Sequence, residues 1–446
     1  MAQDPGARDL YRAHFESFEK SLNGDAGAPL HSVRRKAFER FADVGFPTRR
    51  EEDWKFTNLA PLMKTPFRVP NLFTLDAGAR KAALDELPGD GPRLVFVNGR
   101  LDPSLSGPIE SEGKVRLMSL AEAFRARPDI IEKYFGHHAR HEEFSLVALN
   151  TSFVRDGAFI HLTDGAVLDT PIHLLFISTA AAGPTVSHPR NLFVAGRNSQ
   201  ATIVESYWAP GSDVYYTNAV TEVVLEEGAV VDHYRVQRES EAAFHTGSVT
   251  VNQARSANYI SNIVSLGGGL VRNDLRILLD GEGAASMLNG LYMVGGTQHV
   301  DNRTVVDHAR PHCSSNEVYK GVLDGKATGV FNGEIIVRED AQKTDAHQLN
   351  KNLVLSEEAL INTKPRLRIN ANDVKCTHGA TVGMLDEDAL FYLRSRGFPR
   401  EEARNILTYA FAADVIEPMR DEWLRTAIER LVLARLPAGD RLRELV

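Results

Sequence analysis

The chain has 446 residues, of which 25% are charged and 43% are hydrophobic, and its formal charge at pH 7 is −8. These values are ordinary for a folded globular protein and exclude global disorder. An acidic chain without a long Lys/Arg run argues against a nucleic-acid partner, and apolar runs such as 172–177 are too short to cross a membrane. Two cysteines exclude a disulfide framework. Together with the absence of an apolar leader at the start, they predict a cytoplasmic protein.

Residues 1–155 are predicted to form a mainly helical N-terminal domain. Apolar side chains recur at helical spacing over 9–22 and 31–44. The sequence Ser119-Leu-Ala-Glu122 is a capping box, which predicts the start of another helix. One strand is predicted at 94–97, where a turn pair, Asn-Gly, follows it.

Residues 156–384 change to short β-type runs that are separated by Gly, Asp and Asn. Regularly spaced short strands without a helical period predict an all-β unit. The stretches 280–294 and 324–337 resemble two copies of one repeat, since each places an Asn-Gly pair just before a β-rich run. Turn glycines at intervals of 31 and 32 residues precede similar runs, at Gly165, Gly196 and Gly228. This repetition is typical of a β-solenoid, and a sandwich of similar hairpins is the alternative.

In residues 385–446 apolar side chains again recur at helical spacing, which predicts a C-terminal helical domain. A helix at 387–396 is stopped by Gly397, and a second amphipathic helix is predicted at 419–436. Between them, a helix that begins near Pro399 carries one apolar stripe, made of Ala403, Ile406, Leu407, Ala410, Phe411 and Val415.

Two glycine-rich segments come close to nucleotide-binding motifs. The segment 321–327 lacks the P-loop spacing and has Ala327 where a hydroxyl would bind magnesium. The segment 281–286 lacks the third glycine of a dinucleotide loop and opens a β-run. We therefore interpret both as turns and expect no nucleotide to bind this chain.

Three segments carry candidate metal ligands. His137 and His141 could share one helical face, although a solvated polar face is the preferred interpretation. The segment 307–313 places Cys313 beside imidazoles, and Cys376 and His378 point to the same face if their segment is extended. For this last pair, a buried structural pair and a Cys–His nucleophile remain alternatives.

The cysteine count limits what any iron–sulfur site could be. A cluster is usually held by four protein ligands, most of them cysteines, and this chain has two cysteines in total. A chain of this kind can handle a cluster only if it shares the site with another chain or holds the cluster incompletely.

Several motifs carry a resemblance to a known family. The sequence Val374-Lys-Cys-Thr-His-Gly-Ala-Thr-Val-Gly383 resembles a C-terminal signature of the SufB/SufD family of the SUF iron–sulfur cluster assembly system. The Gly-Ala-Thr-Val-Gly segment favours the SufD branch over the SufB branch. Arg368, Asn372 and Thr377 depart from the family pattern but spare the thiol and the imidazole. Further similar stretches occur in the expected order, at 49–57, 306–313, 330–337, 341–353 and 390–397.

The resemblance implies a right-handed parallel β-helix between the helical domains. It also implies a scaffold without catalytic activity of its own, and a complex with a SufB-like subunit and SufC, an ABC-type ATPase. His378 and Cys376 would contribute to a transient iron–sulfur cluster shared with the SufB-like subunit. SufC would dock on the C-terminal helices, at Ile406, Leu407, Ala410 and Phe411.

Other functions remain open at this stage. The chain could be the SufB-type subunit or a β-helix enzyme that acts alone on carbohydrates. It could also be a purely structural partner, in which Cys376 and His378 are simply packed. Self-association into a homodimer is a further expectation when no SufB-like chain is present.

Overall fold

The computed structural model describes residues 5–22, 29–70, 74–87, 91–107, 113–180 and 183–437. Residues 1–4 and 438–446, which belong to the two predicted terminal domains, lie outside this description. Within the described residues, the α-helices are α1 (Pro5–Lys20), α2 (Pro29–Val44), α3 (Ala60–Lys64), α4 (Ala77–Asp85), α5 (Leu120–Ala126), α6 (Pro128–Tyr134), α7 (Ser145–Phe153), α8 (Glu387–Ser395), α9 (Arg400–Ile416) and α10 (Glu422–Arg435).

Strands occupy most of the chain between α7 and α8. The strands are β1 (Arg93–Val97), β2 (Arg100–Leu101), β3 (Val115–Ser119), β4 (Ala158–Leu162), β5 (Ile172–Ile177), β6 (Thr185–Ser187), β7 (Arg190–Ala195), β8 (Gln200–Trp208), β9 (Tyr215–Leu225), β10 (Val230–Arg238), β11 (Phe244–Gln253), β12 (Asn258–Ser265), β13 (Leu270–Leu279), β14 (Ala285–Val294), β15 (His299–His308), β16 (Ser314–Leu323), β17 (Thr328–Val337), β18 (Asp345–Val354), β19 (Leu360–Ile369) and β20 (Lys375–Gly383).

The strands form two sheets that face each other around a common core. Sheet I has the order β2-β1-β5-β8-β10-β12-β14-β16-β18-β20, and sheet II has the order β19-β17-β15-β13-β11-β9-β7-β4-β3. From β7 onward, successive strands alternate between the sheets, and each pairs in parallel with the strand two further on. This is a parallel β-solenoid of about eight coils, flanked by helices at both ends. The predicted fold class is confirmed, and a sandwich of hairpins is excluded because the core pairs are parallel.

One turn of each coil has the same backbone conformation, which explains the repeat in the sequence. A left-handed residue with φ between 53° and 71° recurs every 27 to 33 residues, at Gly165, Asn198, Gly228, Ser256, Gly283, His312 and Lys343. The N–H of each donates to a carbonyl in the turn of the next coil, as from Gly228 to Arg255 at 2.9 Å. Gly165 and Gly228 are therefore equivalent positions, and Gly196 lies two residues before the equivalent Asn198.

The two stretches 280–294 and 324–337 are not copies of one repeat, so that part of the sequence interpretation is wrong. Their glycines Gly290 and Gly333 lie inside β14 and β17, which belong to different sheets. A Cβ on Gly333 would lie 2.3 Å from the amide nitrogen of Gln348, and one on Gly290 would overlap a tyrosine ring of the next coil. These glycines make room for side chains inside the solenoid.

The interior of the solenoid contains a buried polar network as well as apolar side chains. Glu205 of β8 is fully buried, and its carboxylate lies 3.3 Å from Nε2 of His233 and 3.4 Å from Nε of Arg235 on β10. The hydroxyls of Tyr207 and Thr221 donate to the same carboxylate at 2.9 and 2.8 Å. Charged and polar groups on β8, β9 and β10 thus depend on a single carboxylate.

The local predictions for the first 155 residues agree with the structure. Helices α1 and α2 cover the two predicted helical segments except residues 21–22, which form a turn, and the side chain of Ser119 accepts the N–H of Glu122 at 3.1 Å. Asn98 and Gly99 have positive φ and join β1 to β2. Because β1 and β3 belong to the sheets of the solenoid, the predicted boundary at residue 155 stays a prediction.

The segment around the 3-10 turn Glu52–Trp54 lies on the outer face of sheet II. The Trp54 ring centroid lies 3.9 Å from the guanidinium carbon of Arg272, and Asp53 pairs with Arg303 at 2.8 Å. Thr57 lies 3.0 Å from Nε2 of His299. The motif at 49–57 therefore attaches the N-terminal region to β13 and β15.

The C-terminal helices pack on the outer face of sheet I. Their core combines Ile416 and Ile428 with strand residues that include Leu291 and Val322. Gly397 has a φ of 96° and ends the segment after α8, as predicted. Within the described part of the chain, every helix is too short or too polar to span a lipid bilayer.

Candidate functional site

The predicted thiol and imidazole lie on the last strand of sheet I. In β20, Cys376 is in register with Ala346 of β18, and His378 is in register with Gln348. Side chains two apart on a strand point to the same face and are about 6.6 Å apart along it. Since Ala346 and Gln348 are buried inside the solenoid, Cys376 and His378 face the interior at its last coil.

No further coil covers this face in the described residues. β20 and β19 are the terminal strands of their sheets, and most of their side chains are exposed or half-buried. Apolar side chains are exposed here, with Leu360 at 61% and Val382 at 52%. We call the surface formed by β19 and β20 the open end.

Cys376 is a half-buried thiol at this open end. It packs against an apolar cluster that includes Ile335, Val337 and Ala346. Burial raises the pKa of Cys376, and the nearby carboxylate of Asp345 raises it further. The group is therefore a neutral thiol at pH 7, and any thiol must lose its proton before it can bind a metal.

Alkylation of the native chain with iodoacetamide is expected to be slow at pH 7. Its rate should rise about tenfold per pH unit up to pH 9, because the thiolate fraction does so below the pKa. Mass spectrometry of the modified peptide measures the rate at Cys376. The Cys376→Ser variant should take up no label, since Cys313 is buried. Fast labelling of Cys376 at pH 7 would contradict the raised pKa.

His378 is exposed at the open end, above two buried polar side chains. Gln348 and Glu317 occupy the equivalent interior positions of the two preceding coils of sheet I. The Gln348 amide nitrogen donates to Glu317 at 2.7 Å. Burial raises the pKa of Glu317 to about 7, against the lowering effect of hydrogen bonds from Thr304 and Gln348.

The Glu317→Gln variant is expected to be more stable than the parent chain at pH 8. The folded-state pKa of Glu317 is raised from 4.5 to about 7. Between these pH values its carboxyl group is protonated in the folded chain and ionised in the unfolded chain. Its contribution to the unfolding free energy is complete below pH 4.5 and is lost as the pH rises to about 7. The unfolding free energy of Glu317→Gln minus that of the parent chain should therefore be about 3 kcal/mol larger at pH 8 than at pH 4.5.

Denaturant unfolding at the two pH values measures this difference for Glu317→Gln. The exposed Glu358 offers a matched control, because it forms a surface ion pair with Lys326 and Glu358→Gln should change the unfolding free energy by at most about 1 kcal/mol. A difference for Glu317→Gln that does not depend on pH would contradict a raised pKa.

The second thiol lies elsewhere, inside the solenoid. Cys313 is buried in the main apolar core, and its Sγ lies 3.2 Å from the carbonyl oxygen of Gly281. His308 is buried against Ser315, and His312 is the left-handed residue of a turn. The structure does not bring this group to the open end, and burial raises the pKa of the Cys313 thiol.

The possible helical face of His137 and His141 is wrong, because these residues lie in an irregular loop. The loop's backbone N–H groups at Gly136 and His138 donate to the buried carboxylate of Glu222 at 2.8 and 2.6 Å. In the described residues, no group of three or more His, Cys, Asp or Glu side chains is placed to hold a metal ion.

The glycine-rich segments are turns between strands, as interpreted. Gly283 and Gly325 both have positive φ, and they precede β14 and β17 respectively. Lys326, which occupied the lysine position of the near-miss P-loop, pairs with Glu358 at 3.0 Å.

The predicted docking stripe on α9 is divided between the interior and the surface. Ile406 and Phe411 pack partly against the core beneath the helix, Leu407 is half-buried and Ala410 is exposed. The sequence did not single out Phe391 on α8, which is 73% exposed. An exposed aromatic residue on an amphipathic helix has no signature that separates it from a core residue before the fold is known.

Arg368, Asn372 and Thr377, which depart from the family pattern, lie at the surface or in surface contacts. Arg368 contacts Glu334 at 3.3 Å, and Asn372 is exposed. Thr377 lies on the outer face, where its hydroxyl is 2.7 Å from Nδ1 of His347. None of them removes Cys376 or His378 from the open end.

These features define a class: a β-solenoid protein with a thiol and an imidazole on the terminal strand of an uncovered end. Comparisons with known proteins identify the family. The family model "SUF system FeS cluster assembly, SufBD core domain" matches residues 176–411, and the model "SufBD protein N-terminal region" matches residues 6–174. The chain therefore belongs to the SufB/SufD family, which supports a role in iron–sulfur cluster assembly.

Individual relatives match over most of the chain. An iron–sulfur cluster assembly SufBD family protein of Synechocystis is 34% identical over 93% of both chains. The iron–sulfur cluster assembly protein SufD of Escherichia coli is 32% identical over 89% of this chain and 91% of its own. SufD of Bacillus subtilis is 27% identical over 90% of this chain and 94% of its own.

Proposed function

We propose that this chain is a non-catalytic scaffold subunit for iron–sulfur cluster assembly. Its open end joins a SufB-like chain, and the cluster forms between them as the cargo of the complex. The observation that carries this proposal is the position of Cys376 and His378 on β20, the terminal strand of sheet I. A pair of soft ligands at an uncovered end can be completed by a second protein.

The open end has the properties of a surface that another chain covers. A terminal strand presents unpaired backbone N–H and C=O groups, and exposed edges of this kind pair readily with other chains. Val382 faces the interior of the solenoid, yet it is 52% exposed because no coil follows β20 in the part of the chain that the structure describes. The SufB-like chain is the occupant we propose, and a second copy of this chain would take its place when that partner is absent.

The ligand set supports a shared and temporary cluster. Cys376 supplies one thiol and His378 one imidazole, whereas a cluster usually takes four protein ligands. The remaining ligands would come from the SufB-like chain, so opening the joint would expose or release the cluster. A neutral His378 can bind iron through one ring nitrogen.

The C-terminal helical domain is the proposed dock for a SufC-like ATPase. Besides the stripe of Ile406, Leu407, Ala410 and Phe411, α8 exposes Phe391 at 73% and Tyr392 at 57%. Clusters of exposed apolar side chains are typical of protein–protein contacts. The nucleotide would bind to the ATPase, and this chain would supply no catalytic group.

Lys320 provides a connection between that dock and the solenoid. It lies on β16, is 3% exposed in its side chain, and pairs with Asp414 of α9. Its Nζ also donates to the carbonyl oxygen of Phe411 at 2.8 Å and lies 4.5 Å from the Phe411 ring centroid. Motion of α9 that follows ATP binding would reach sheet I through this contact and continue along the paired coils to β20. Nucleotide would thereby bias a two-state opening of the joint.

Two substitutions separate the two proposed contacts. Val382→Asp places a charge at the open end and should abolish co-purification of the SufB-like chain while the SufC-like ATPase is retained. Phe391→Asp should abolish co-purification of the SufC-like ATPase while the SufB-like chain is retained. Leu84→Asp is a matched control on an exposed helix, because Leu84 is 42% exposed on α4, and it should retain both partners. Retention of the SufB-like chain by Val382→Asp would overturn the proposed joint.

A further inference from the structure

A column of three interior side chains leads to the candidate ligand His378. His378, Gln348 and Glu317 are in register on β20, β18 and β16, so each lies directly above the next inside sheet I. Neighbouring strands are about 4.8 Å apart, which places successive side chains of the column within contact distance. Gln348 and Glu317 are 2% and 1% exposed, so only the top of the column reaches solvent.

The orientation of the Gln348 amide is fixed from below. Its Nε2 donates to the Glu317 carboxylate at 2.7 Å. The amide oxygen is the other polar atom of the same planar group, and β20 is the strand that pairs with β18 on the side opposite β16. This buried Oε1 atom has no hydrogen-bond partner among the described residues. A buried acceptor without a partner costs about 1–3 kcal/mol, so a donor above it would be stabilising.

Gly333 keeps the amide in this place. It lies on β17 of the opposite sheet, and a Cβ at this position would be 2.3 Å from Nε2 of Gln348 and 2.8 Å from its Cδ. The absence of a side chain at Gly333 therefore leaves the space that the amide occupies. The two sheets together hold Gln348 beneath His378.

We infer that Gln348 is a positioning residue for His378, whose imidazole N–H donates to the Gln348 side-chain oxygen while Glu317 anchors the amide. This inference rests on the proposed role of His378 as an iron ligand. A histidine that donates one ring N–H to a fixed acceptor has a fixed tautomer and ring orientation, and its other nitrogen is free for a metal. Gln348 would thus fix the tautomer and the ring orientation of His378 before iron binds.

Nuclear magnetic resonance of the full chain labelled with ¹⁵N-histidine tests the inference without iron. The His378 ring signals are assigned by their loss in His378→Ala. In the parent chain they should show one dominant tautomer, with separate signals for the protonated and unprotonated nitrogens. Gln348→Leu removes the acceptor, so the signals should shift towards exchange-averaged values. Asn352→Leu changes another buried interior residue of β18 and should leave them unchanged.

A second variant keeps the test decisive if Gln348→Leu does not fold. Gln348→Asn retains the amide but is one methylene shorter, so it cannot reach both Glu317 and His378, and it should produce the same shift. Unchanged His378 signals in either folded variant would overturn the inference. In the assembled complex, either variant should also weaken iron retention roughly 10- to 100-fold, the usual loss for a partner of a metal ligand.

The role of His378 as an iron ligand and the positioning role of Gln348 can be refuted separately. If His378→Ala retains iron in the complex, the proposed function fails even when Gln348 controls the His378 tautomer. If the tautomer does not respond to Gln348, only the positioning role fails.

Discussion

Replacing His378 with alanine is expected to remove most of the iron and acid-labile sulfide from the assembled three-protein complex. The substitution deletes one of the two proposed ligands at the open end, and His378 is exposed there, so the fold should not change. Loss of a ligand should exceed the roughly 10-fold minimum typical of losing a ligand's outer partner. Iron and sulfide are measured per complex after co-expression and anaerobic purification.

His347 supplies a matched control for this experiment. It lies on the neighbouring strand β18, and its side chain is 51% exposed on the outer face. His347→Ala should therefore retain the metal content of the parent complex. Equal iron and sulfide in the His378→Ala complex and the parent would remove His378 from the proposed site.

The Glu205→Ala variant is expected to lower the free energy of unfolding by about 3–5 kcal/mol at pH 7, the usual cost of breaking a buried ion pair. Glu205 is fully buried between His233 and Arg235, and its removal leaves these groups without a carboxylate. Burial alone would raise the pKa of Glu205, but His233 and Arg235 outweigh it and hold the pKa at about 2. Denaturant unfolding measures the loss.

The pH dependence of this loss follows from the lowered pKa of Glu205. Its stabilising contribution is present above the ordinary glutamate pKa of 4.5 and is lost as the pH falls towards 2. The deficit of Glu205→Ala should therefore narrow as the pH falls from 4.5 towards 2. Glu241→Ala is the control, because Glu241 forms an exposed pair with Arg435 and should cost at most about 1 kcal/mol. A deficit for Glu205→Ala as small as this control would contradict the role of the network.

The sequence predicted the class of fold because each coil repeats the same local requirements. The left-handed turn position recurs once per coil, and glycine at Gly165 and Gly228 makes it visible. The same position is filled by Ser256, His312 and Lys343 in other coils, so the repeat is only partly visible in the residue types. Comparing 280–294 with 324–337 failed for a related reason, since similar letters there belong to opposite sheets.

The candidate ligands were also visible in the sequence, whereas their support was not. Cys376 and His378 are two apart in an extended segment, and this local fact places them on one face. Gln348 and Glu317 are 30 and 61 residues earlier, and only the register of the parallel strands brings them beneath His378. The predicted docking stripe on α9 shows the opposite limit, because one apolar period includes Val415, which is packed in the core, and Ala410, which is exposed.

Pulsed electron paramagnetic resonance of the assembled complex tests the shared site most directly. Only this chain carries ¹⁵N-histidine, the SufB-like chain and the ATPase are unlabelled, and the cluster is reduced to a paramagnetic state. We expect a ¹⁵N hyperfine coupling from one histidine, and we expect it to disappear in His378→Ala. A fully assembled cluster that shows no coupling to ¹⁵N of this chain would contradict a site at the open end to which His378 contributes.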